Sequence, residues 1–322
     1  MKLLLVDGHY YAYRSFYAIR ELSNSRGEPT NMLYGMAKAL RRMIADLKPD
    51  FAAVVMDGGL PAHRTTEQSA YKANRSETPE LLVRQLPFLE QLVPALGFGY
   101  LCVEGEEADD VLASYACAAR ARGIETVLAT NDKDLMQLVC DADAAANRGA
   151  VRVYQPNKEG YELIDPAAVV VKWGVNPSQI GDILMLTGDA VDNIPGVPGV
   201  GPKTAAGWIR EFGSVERLLE NLPTLKSERH RQMLEAARPQ IASNRIMVLL
   251  RTELPLPRAI DELPLRPDPA RQAELFAAYE FRTMLREAQA ECGGGPVQAG
   301  GVESRPAPTA PSAGPLTQGE LL

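Results

Sequence analysis

Three uninterrupted apolar runs in the first half of the chain restrict what it can fold into more than any other feature. They are Lys2–Val6 (KLLLV), Phe51–Met56 (FAAVVM) and Ile124–Ala129 (IETVLA). A strand exposed on one face alternates apolar with polar residues, whereas a continuous run predicts a strand covered on both faces. Helical patterns separate the runs. Asn31–Leu47 sets Leu33, Met36, Ala37, Leu40, Met43, Ile44 and Leu47 at helical spacing, and Pro79–Leu96 does so through Leu82, Leu86, Leu89 and Val93; Ala108–Ala121 is a third. Strand and helix in alternation predict an α/β fold with a mainly parallel central sheet flanked by helices.

Beyond residue 175 the apolar runs give way to helical patterns at Ser178–Leu186, Lys203–Phe212, Val215–Leu219, Arg229–Arg238, Pro239–Leu250 and Pro269–Ala290. With 322 residues there is room for two domains. The expected division is an α/β domain over 1–175 and a helical subdomain over 176–290, followed by a tail over 291–322. From Gly293 onward that tail carries seven glycines and five prolines and almost no large apolar side chains, so it is expected to be disordered.

Composition excludes several classes. The four cysteines (Cys102, Cys117, Cys140, Cys292) form no C-x-x-C pair, which argues against a zinc ribbon or a disulfide scaffold and for reduced thiols in a cytoplasm. MKLLLVDG is too short for a signal-peptide core, and no apolar run is long enough to span a bilayer. The net charge of −7 argues against a phosphate-rich partner until its distribution is considered. Between Asn193 and Arg258 there are ten basic residues against six acidic ones, and much of the remaining negative charge is concentrated in a few motifs.

Those motifs lie where strands end. KLLLV is followed by Asp7, FAAVVM by Asp57, and IETVLA by Asp132 after Thr130 and Asn131. Functional side chains of parallel sheets gather at the carboxyl ends of strands. Taken singly, each acid could be a turn residue or a helix cap. The run GEEADDVLASYA adds Glu107, Asp109 and Asp110 at a helix start, where the dipole alone would stabilise acids by roughly 0.3–1 kcal/mol each. The density, with Glu104 and Glu106 in the same stretch, exceeds what a dipole explains, because crowded carboxylates repel unless a cation neutralises them. TNDKDLMQL contributes Asp132 and Asp134, and TGDAVDNIPG contributes Asp189 and Asp192, which share a face if that segment is helical. His9, His63 and His230 are isolated and expected in packing or at the surface. A site of carboxylates alone suits Mg²⁺, with Mn²⁺ as a substitute, better than zinc. Two such ions are the usual machinery for phosphodiester hydrolysis.

Pro195–Ala205 (PGVPGVGPKTA) leads into an amphipathic helix, but one residue separates Gly201 from Lys203, so a Walker loop fails. A tight turn joining two helices fits, either as a plain connector or as backbone N–H groups offered to a phosphate. Arg64, Tyr71, Lys72 and Arg75 lie between Asp57 and the next helix, and Arg14 lies one turn beyond His9-Tyr10. A sparse basic stretch of this kind is either a solvated face or a means of holding phosphates over metals.

In order and spacing, LLLVDGHYYAYRSFYA, GEPTNMLYG, AYKANR, EADDVLA, TNDKDLMQL, GDAVDNIPGVPGVGPKTA and the closing EFRTMLRE resemble the 5′ nuclease domain of bacterial DNA polymerase I, within the flap endonuclease superfamily. The resemblance implies a PIN-like 5′ nuclease fold with a helix–hairpin–helix-type motif in its helical part. It implies one ion on Asp7, Asp57, Glu107 and Asp109, a second on Asp109, Asp132, Asp134 and Asp192, and Asp110 and Asp189 in the surrounding acidic shell. Lys72 and Arg75 would stand at the base of a helical arch spanning residues 60–90, with Tyr71 beside them on the DNA, and Arg14 and Arg64 would contact phosphate. Gly196, Gly199, Gly201, Lys203 and Thr204 would bind the duplex backbone, with K⁺ on backbone carbonyls. The implied activity is 5′-3′ exonuclease and flap endonuclease cleavage of DNA with 5′ flaps or ends, and of RNA in RNA–DNA hybrids, by a cytoplasmic monomer in replication and repair. The chain departs from the family pattern at His63, where Phe is common, at Gly58-Gly59-Leu60, which lacks the usual Ala-Lys pair, and at Glu106, where Tyr is frequent. The alternative is a non-catalytic binder of branched or flapped nucleic acid. A phosphatase or kinase is disfavoured because Asp7 is followed by Gly8-His9 instead of a D-x-D arrangement.

Overall fold

The computed structural model describes residues 1–157 and 160–292. All three apolar runs are strands: β1 (Lys2–Asp7), β2 (Phe51–Met56) and, after the four-residue β3 (Gly99–Cys102), β4 (Glu125–Ala129). Two more strands follow, β5 (Val151–Asn157) and β6 (Gly160–Ile164), completing one sheet in the order β3-β2-β1-β4-β5-β6. The first five are parallel and β6 pairs antiparallel with β5. Leu5 stands opposite Ala53 on one side and Leu128 on the other. The carboxyl ends of β1, β2 and β4 therefore finish at one edge of the sheet.

Both faces are covered, as the continuous runs predict. Leu3, Leu5, Ala53, Val55 and Leu128 pack on one face against the Ala108–Ala121 helix and the helical second half. Leu4, Val6, Ala52, Val54 and Val127 pack on the other against the Gly8–Ala18 and Asn31–Leu47 helices. Burying a side chain such as Leu40 or Leu33 contributes roughly 1.5–3 kcal/mol, so the two layers fix the sheet between them. No helix among the described residues is long and apolar enough to cross a membrane.

Several expectations change. The pattern over Pro79–Leu96 is broken into a helix at Glu80–Val83, a 3₁₀ turn at Leu86–Phe88 and a helix at Leu89–Ala95 that contains Pro94; Pro87 interrupts the backbone ladder between the first helix and the last. Within 60–90 the expected helical arch is the six-residue helix Ala62–Glu67, then turns over 69–74 and a stretch without regular structure over 75–79 before Glu80. The pattern over Pro269–Ala290 is two helices, Pro269–Ala278 and Arg282–Glu291, separated at Glu280, which has φ +61°. That pair follows the helical segment in sequence, yet it packs on the first-half face through Phe276, Phe281 and Met284. The expected tail lies outside the described residues from 293 onward.

Candidate metal centre and nucleic-acid interface

In a sheet ordered 3-2-1-4-5, β1 and β4 are the neighbours from which the chain departs in opposite directions, and a crevice opens beyond their carboxyl ends. A cavity of about 190 Å³ lies there. Six of the nine sequence-chosen acids line it: Asp7, Asp57, Asp109, Asp132, Asp189 and Asp192, with Lys72 and Arg75 among them.

Each acid is held by a local device. Asp7 ends β1 and caps the next helix, with one oxygen accepting from the Tyr10 amide at 3.0 Å and the other from the Thr130 hydroxyl at 3.0 Å. Asp57 accepts from the Ala108 amide at 2.7 Å, the first residue of the Ala108–Ala121 helix, and so sits on the positive end of its dipole. The Asp57 amide lies 3.1 Å from His9 Nδ1. Asp109 stands in the first turn of the same helix. The Asp132 amide donates to Thr130 Oγ1, and its carboxylate accepts from the Asp134 amide at 2.7 Å.

The charges fall into two groups. Burial, followed by repulsion from Asp57 and Asp132, pushes the Asp7 carboxyl up to about 7 despite its hydrogen bonds. Burial and neighbouring acids likewise raise Asp132 from its ordinary value and Asp109 and Asp134 well above theirs. Burial also opposes ionisation of Asp57 and Asp192, but cations prevail there. His9, Lys72 and Arg75 hold Asp57 low, while Lys72 and Arg75 do the same for Asp192. Lys133 pairs with Asp189 at 2.8 Å. The protein therefore carries an acidic hollow whose carboxyls are only partly matched by its own lysines and arginines.

Three of the nine acids, the expected ligands Glu107 and Asp134 and the expected shell residue Asp110, stand back from the cavity. Glu107 is buried and taken up by Arg64, Lys72 and the Tyr71 hydroxyl. Asp110 accepts from Arg64 and from the Arg251 amide, both at 2.9 Å, and its second oxygen has no partner. Asp134 likewise keeps one oxygen buried without a partner. Among the described residues, no group of three acids, histidines or cysteines is set to hold an ion outright. The cavity donors nevertheless fit hard divalent cations: all are carboxylate oxygens, Asp110 and Asp134 behind them each keep one buried oxygen without a partner, and burial with mutual repulsion raises Asp7, Asp109, Asp132 and Asp134.

The basic residues also differ from expectation. Arg64, expected on phosphate, is buried between Glu107 and Asp110, and Tyr71, expected on DNA, is 6% exposed with its hydroxyl on Glu107 and Asp192. Both face the acids because those partners satisfy polar groups that the fold has taken out of water. Arg14 reaches the cavity wall through Tyr10, to whose hydroxyl it donates at 2.9 Å. His9, expected as an isolated packing residue, is buried but also lines the cavity. Thr130, Asn131 and Lys133 were missed, although all three adjoin Asp132 in sequence. Asp189 and Asp192 share a turn closed by paired backbone bonds between Asp189 and Ile194, not a helical face.

The glycine segment connects the Ile180–Thr187 and Pro202–Phe212 helices. Val197 and Val200 anchor it in the core, while Gly199, Gly201 and Lys203 are exposed, Gly196 and Thr204 are partly so, and Gly199 has φ +80°.

Two family models cover the chain in succession: the 5′-3′ exonuclease N-terminal resolvase-like domain over residues 2–174 and the 5′-3′ exonuclease C-terminal SAM fold over 175–271. The chain belongs to the 5′-3′ exonuclease family. This 5′-3′ exonuclease-family chain is 41% identical over 287 residues to the thermostable DNA polymerase I of Thermus aquaticus, covering 89% of the chain and 33% of the polymerase. With DNA polymerase I of Bacillus subtilis it shares 35% over 285 residues, covering 88% and 32%. It thus spans about a third of the length of these curated relatives, and is homologous to their nuclease portion. Its fold is shared with the phage T5 D15 protein co-crystallised with metal ions (TM-score 0.61, 22% identity, 90% and 98% of the two chains). It is also shared with the catalytic core of Rad2 in complex with DNA substrate (TM-score 0.59, 15% identity, 90% of each chain).

Proposed function

We propose that the chain is a structure-specific 5′ nuclease that hydrolyses phosphodiester bonds of DNA at 5′ ends and flaps, and of RNA in RNA–DNA hybrids. The observation that carries the reading is the convergence of six carboxylates from five separate segments on one cavity at the switch point of the sheet, rimmed by Lys72 and Arg75. The family match and the fold it shares with the T5 and Rad2 proteins support the same reading.

In this reading Asp7, Asp57 and Asp109 hold one Mg²⁺, Asp109, Asp132 and Asp192 a second, and Mn²⁺ substitutes. Glu107, Asp110, Asp134 and Asp189 shape the field behind them. When bound, the ions supply a nucleophilic water at neutral pH and relieve charge on the leaving oxygen. Thr130 and the Tyr10 amide fix the Asp7 carboxylate, and the Ala108 amide fixes that of Asp57, so neither must reorient when an ion enters. Lys72 and Arg75 exchange Asp192 for oxygens of the scissile phosphate. The Gly196–Thr204 turn offers backbone N–H groups to the duplex phosphates and carbonyls to a K⁺, and reads no bases. The division into a nuclease part over 1–175 and a DNA-binding part over 176–290, and the monomeric state, belong to the same proposal.

A 5′-labelled flap substrate should be cut in Mg²⁺ and left intact in EDTA. Asp132→Asn should abolish turnover while substrate binding stays within roughly tenfold, about 1.4 kcal/mol. Metal-independent cleavage would contradict the proposal, and tight binding with no cleavage in Mg²⁺ or Mn²⁺ would favour a non-catalytic binder of branched nucleic acid.

A further inference from the structure

Asn244 is fully buried in the Arg238–Val248 helix, a segment none of the site motifs includes. An amide side chain has two N–H donors and an oxygen with two lone pairs, and here every one is used. Asn244 Nδ2 donates to the carbonyls of Met185 at 3.0 Å and Pro195 at 2.8 Å. Its Oδ1 accepts from Gln240 at 2.8 Å and from Gln68 at 3.2 Å. Pro195 opens the glycine turn, and Gln68 begins the segment that ends in Tyr71, Lys72 and Arg75. One buried amide thus ties the surface that would seat duplex to the segment carrying the two cations of the cavity.

Neighbouring contacts make the link stiff. Gln68 also donates to Ser243 at 3.0 Å. The same segment is bound to the 189–194 turn by Asn193 to the Ala70 carbonyl at 2.6 Å, Asn74 to the Ala190 carbonyl at 2.9 Å, and the Lys72 amide to the Asp192 carbonyl at 3.0 Å. A displacement of Pro195–Gly196 therefore has a hydrogen-bonded route to Lys72 that does not pass through the sheet.

We propose that Asn244 and Gln68 are positioning residues that couple duplex seated on the glycine turn to the placement of Lys72 and Arg75. The inference rests on the nuclease reading above, because it takes the turn as the duplex seat and the cations as phosphate ligands. Polar networks of this kind transmit position because a half-satisfied member is costly. Duplex-bound protein should then hold residues 68–75 more rigidly than free protein, and cleavage should depend on the link when the substrate carries duplex.

The test uses Gln68→Ala in the full chain, since Gln68 is only half-buried and its truncation leaves the Asn244 bonds to Met185, Pro195 and Gln240 intact. A duplex bearing a 5′ single-stranded flap is added in EDTA, and amide hydrogen exchange is followed at residues 68–75. Wild type should show slower exchange on binding; Gln68→Ala should bind the same duplex within about twofold and show no slowing. In Mg²⁺ the variant should lose at least about fivefold in kcat on the flapped duplex with KM little changed, and match wild type on a single-stranded oligonucleotide. Equal slowing in both proteins, no slowing in either, or an equal kcat loss on both substrates would overturn the linkage. Failure of wild type to bind duplex, or to cut it in Mg²⁺, would instead overturn the nuclease reading.

Discussion

Arg64 shows how much a single side chain can carry at this site. Its guanidinium is buried between Glu107 and Asp110, and, although burial opposes its charge, those two acids hold it firmly protonated. Removing one partner of a buried ionic group leaves the others uncompensated, at about 3–5 kcal/mol. Arg64→Met should therefore lower the unfolding free energy, read from denaturant titration, by an amount in that range, and a stability within about 1 kcal/mol of wild type would return Arg64 to the phosphate-contacting role that its sequence position suggests. The acids themselves were legible because three strand ends and one helix start carry carboxylates in a number that turns and caps do not explain together. Their pairing was not. Tyr71 meets Asp192 across 121 positions and Lys72 meets Glu107 across 35, and no local pattern encodes which cation will enter which gap. The place of His9 on the cavity wall was hidden for the same reason, since its contact is with an amide 48 positions away.

At the scale of elements, periodicity worked where a long one-sided segment carries no proline or left-handed residue inside it. Asn31–Leu47 has the bounds its apolar spacing gives. It failed for β3 and β6, which are four and five residues long and too short to display a period, and for β5, which holds Arg152, Gln155 and Asn157 among its apolar residues. It also failed where prolines cut an otherwise helical spacing, and at 189–194, where two acids three apart lie on a turn. The glycine turn can be tested position by position. An added Cβ at Gly196 would lie 2.1 Å from the Thr187 carbonyl oxygen, one at Gly199 would meet open space but at φ +80°, and one at Gly201 would meet open space at ordinary φ. Alanine should therefore destabilise most at Gly196, by roughly 1–2 kcal/mol at Gly199 and negligibly at Gly201. Urea titration of the three variants gives the order, and a Gly201→Ala cost as large as that of Gly196→Ala would show that the turn is held by contacts other than these.

For the molecule as a whole, the sheet brings acids from distant stretches together faster than protein cations can neutralise them, and the imbalance should appear as a dependence of stability on pH. Asp7 has its carboxyl near 7 in the folded chain against an ordinary 3.8, so the folded state binds that proton more tightly than the unfolded one. Its contribution is present at low pH and is lost as pH rises towards 7; Asp109, Asp132 and Asp134, shifted the same way, add to the loss. Asp57 and Asp192 are shifted downwards and behave oppositely, contributing above the ordinary range and losing that contribution only in acid. Between about pH 5 and about pH 8 the raised group should dominate, and the metal-free protein should become less stable as pH climbs. Divalent cations bind the ionised carboxylates and displace their protons, so saturating Mg²⁺ should raise the melting temperature more at about pH 8 than at about pH 5, with about 2.7 kcal/mol of stabilisation at a hundredfold excess over Kd. Melting curves in EDTA and in Mg²⁺ across that range decide the matter. An Mg²⁺ increment independent of pH would mean that the ion binds elsewhere than at the protonated acids beyond β1 and β4.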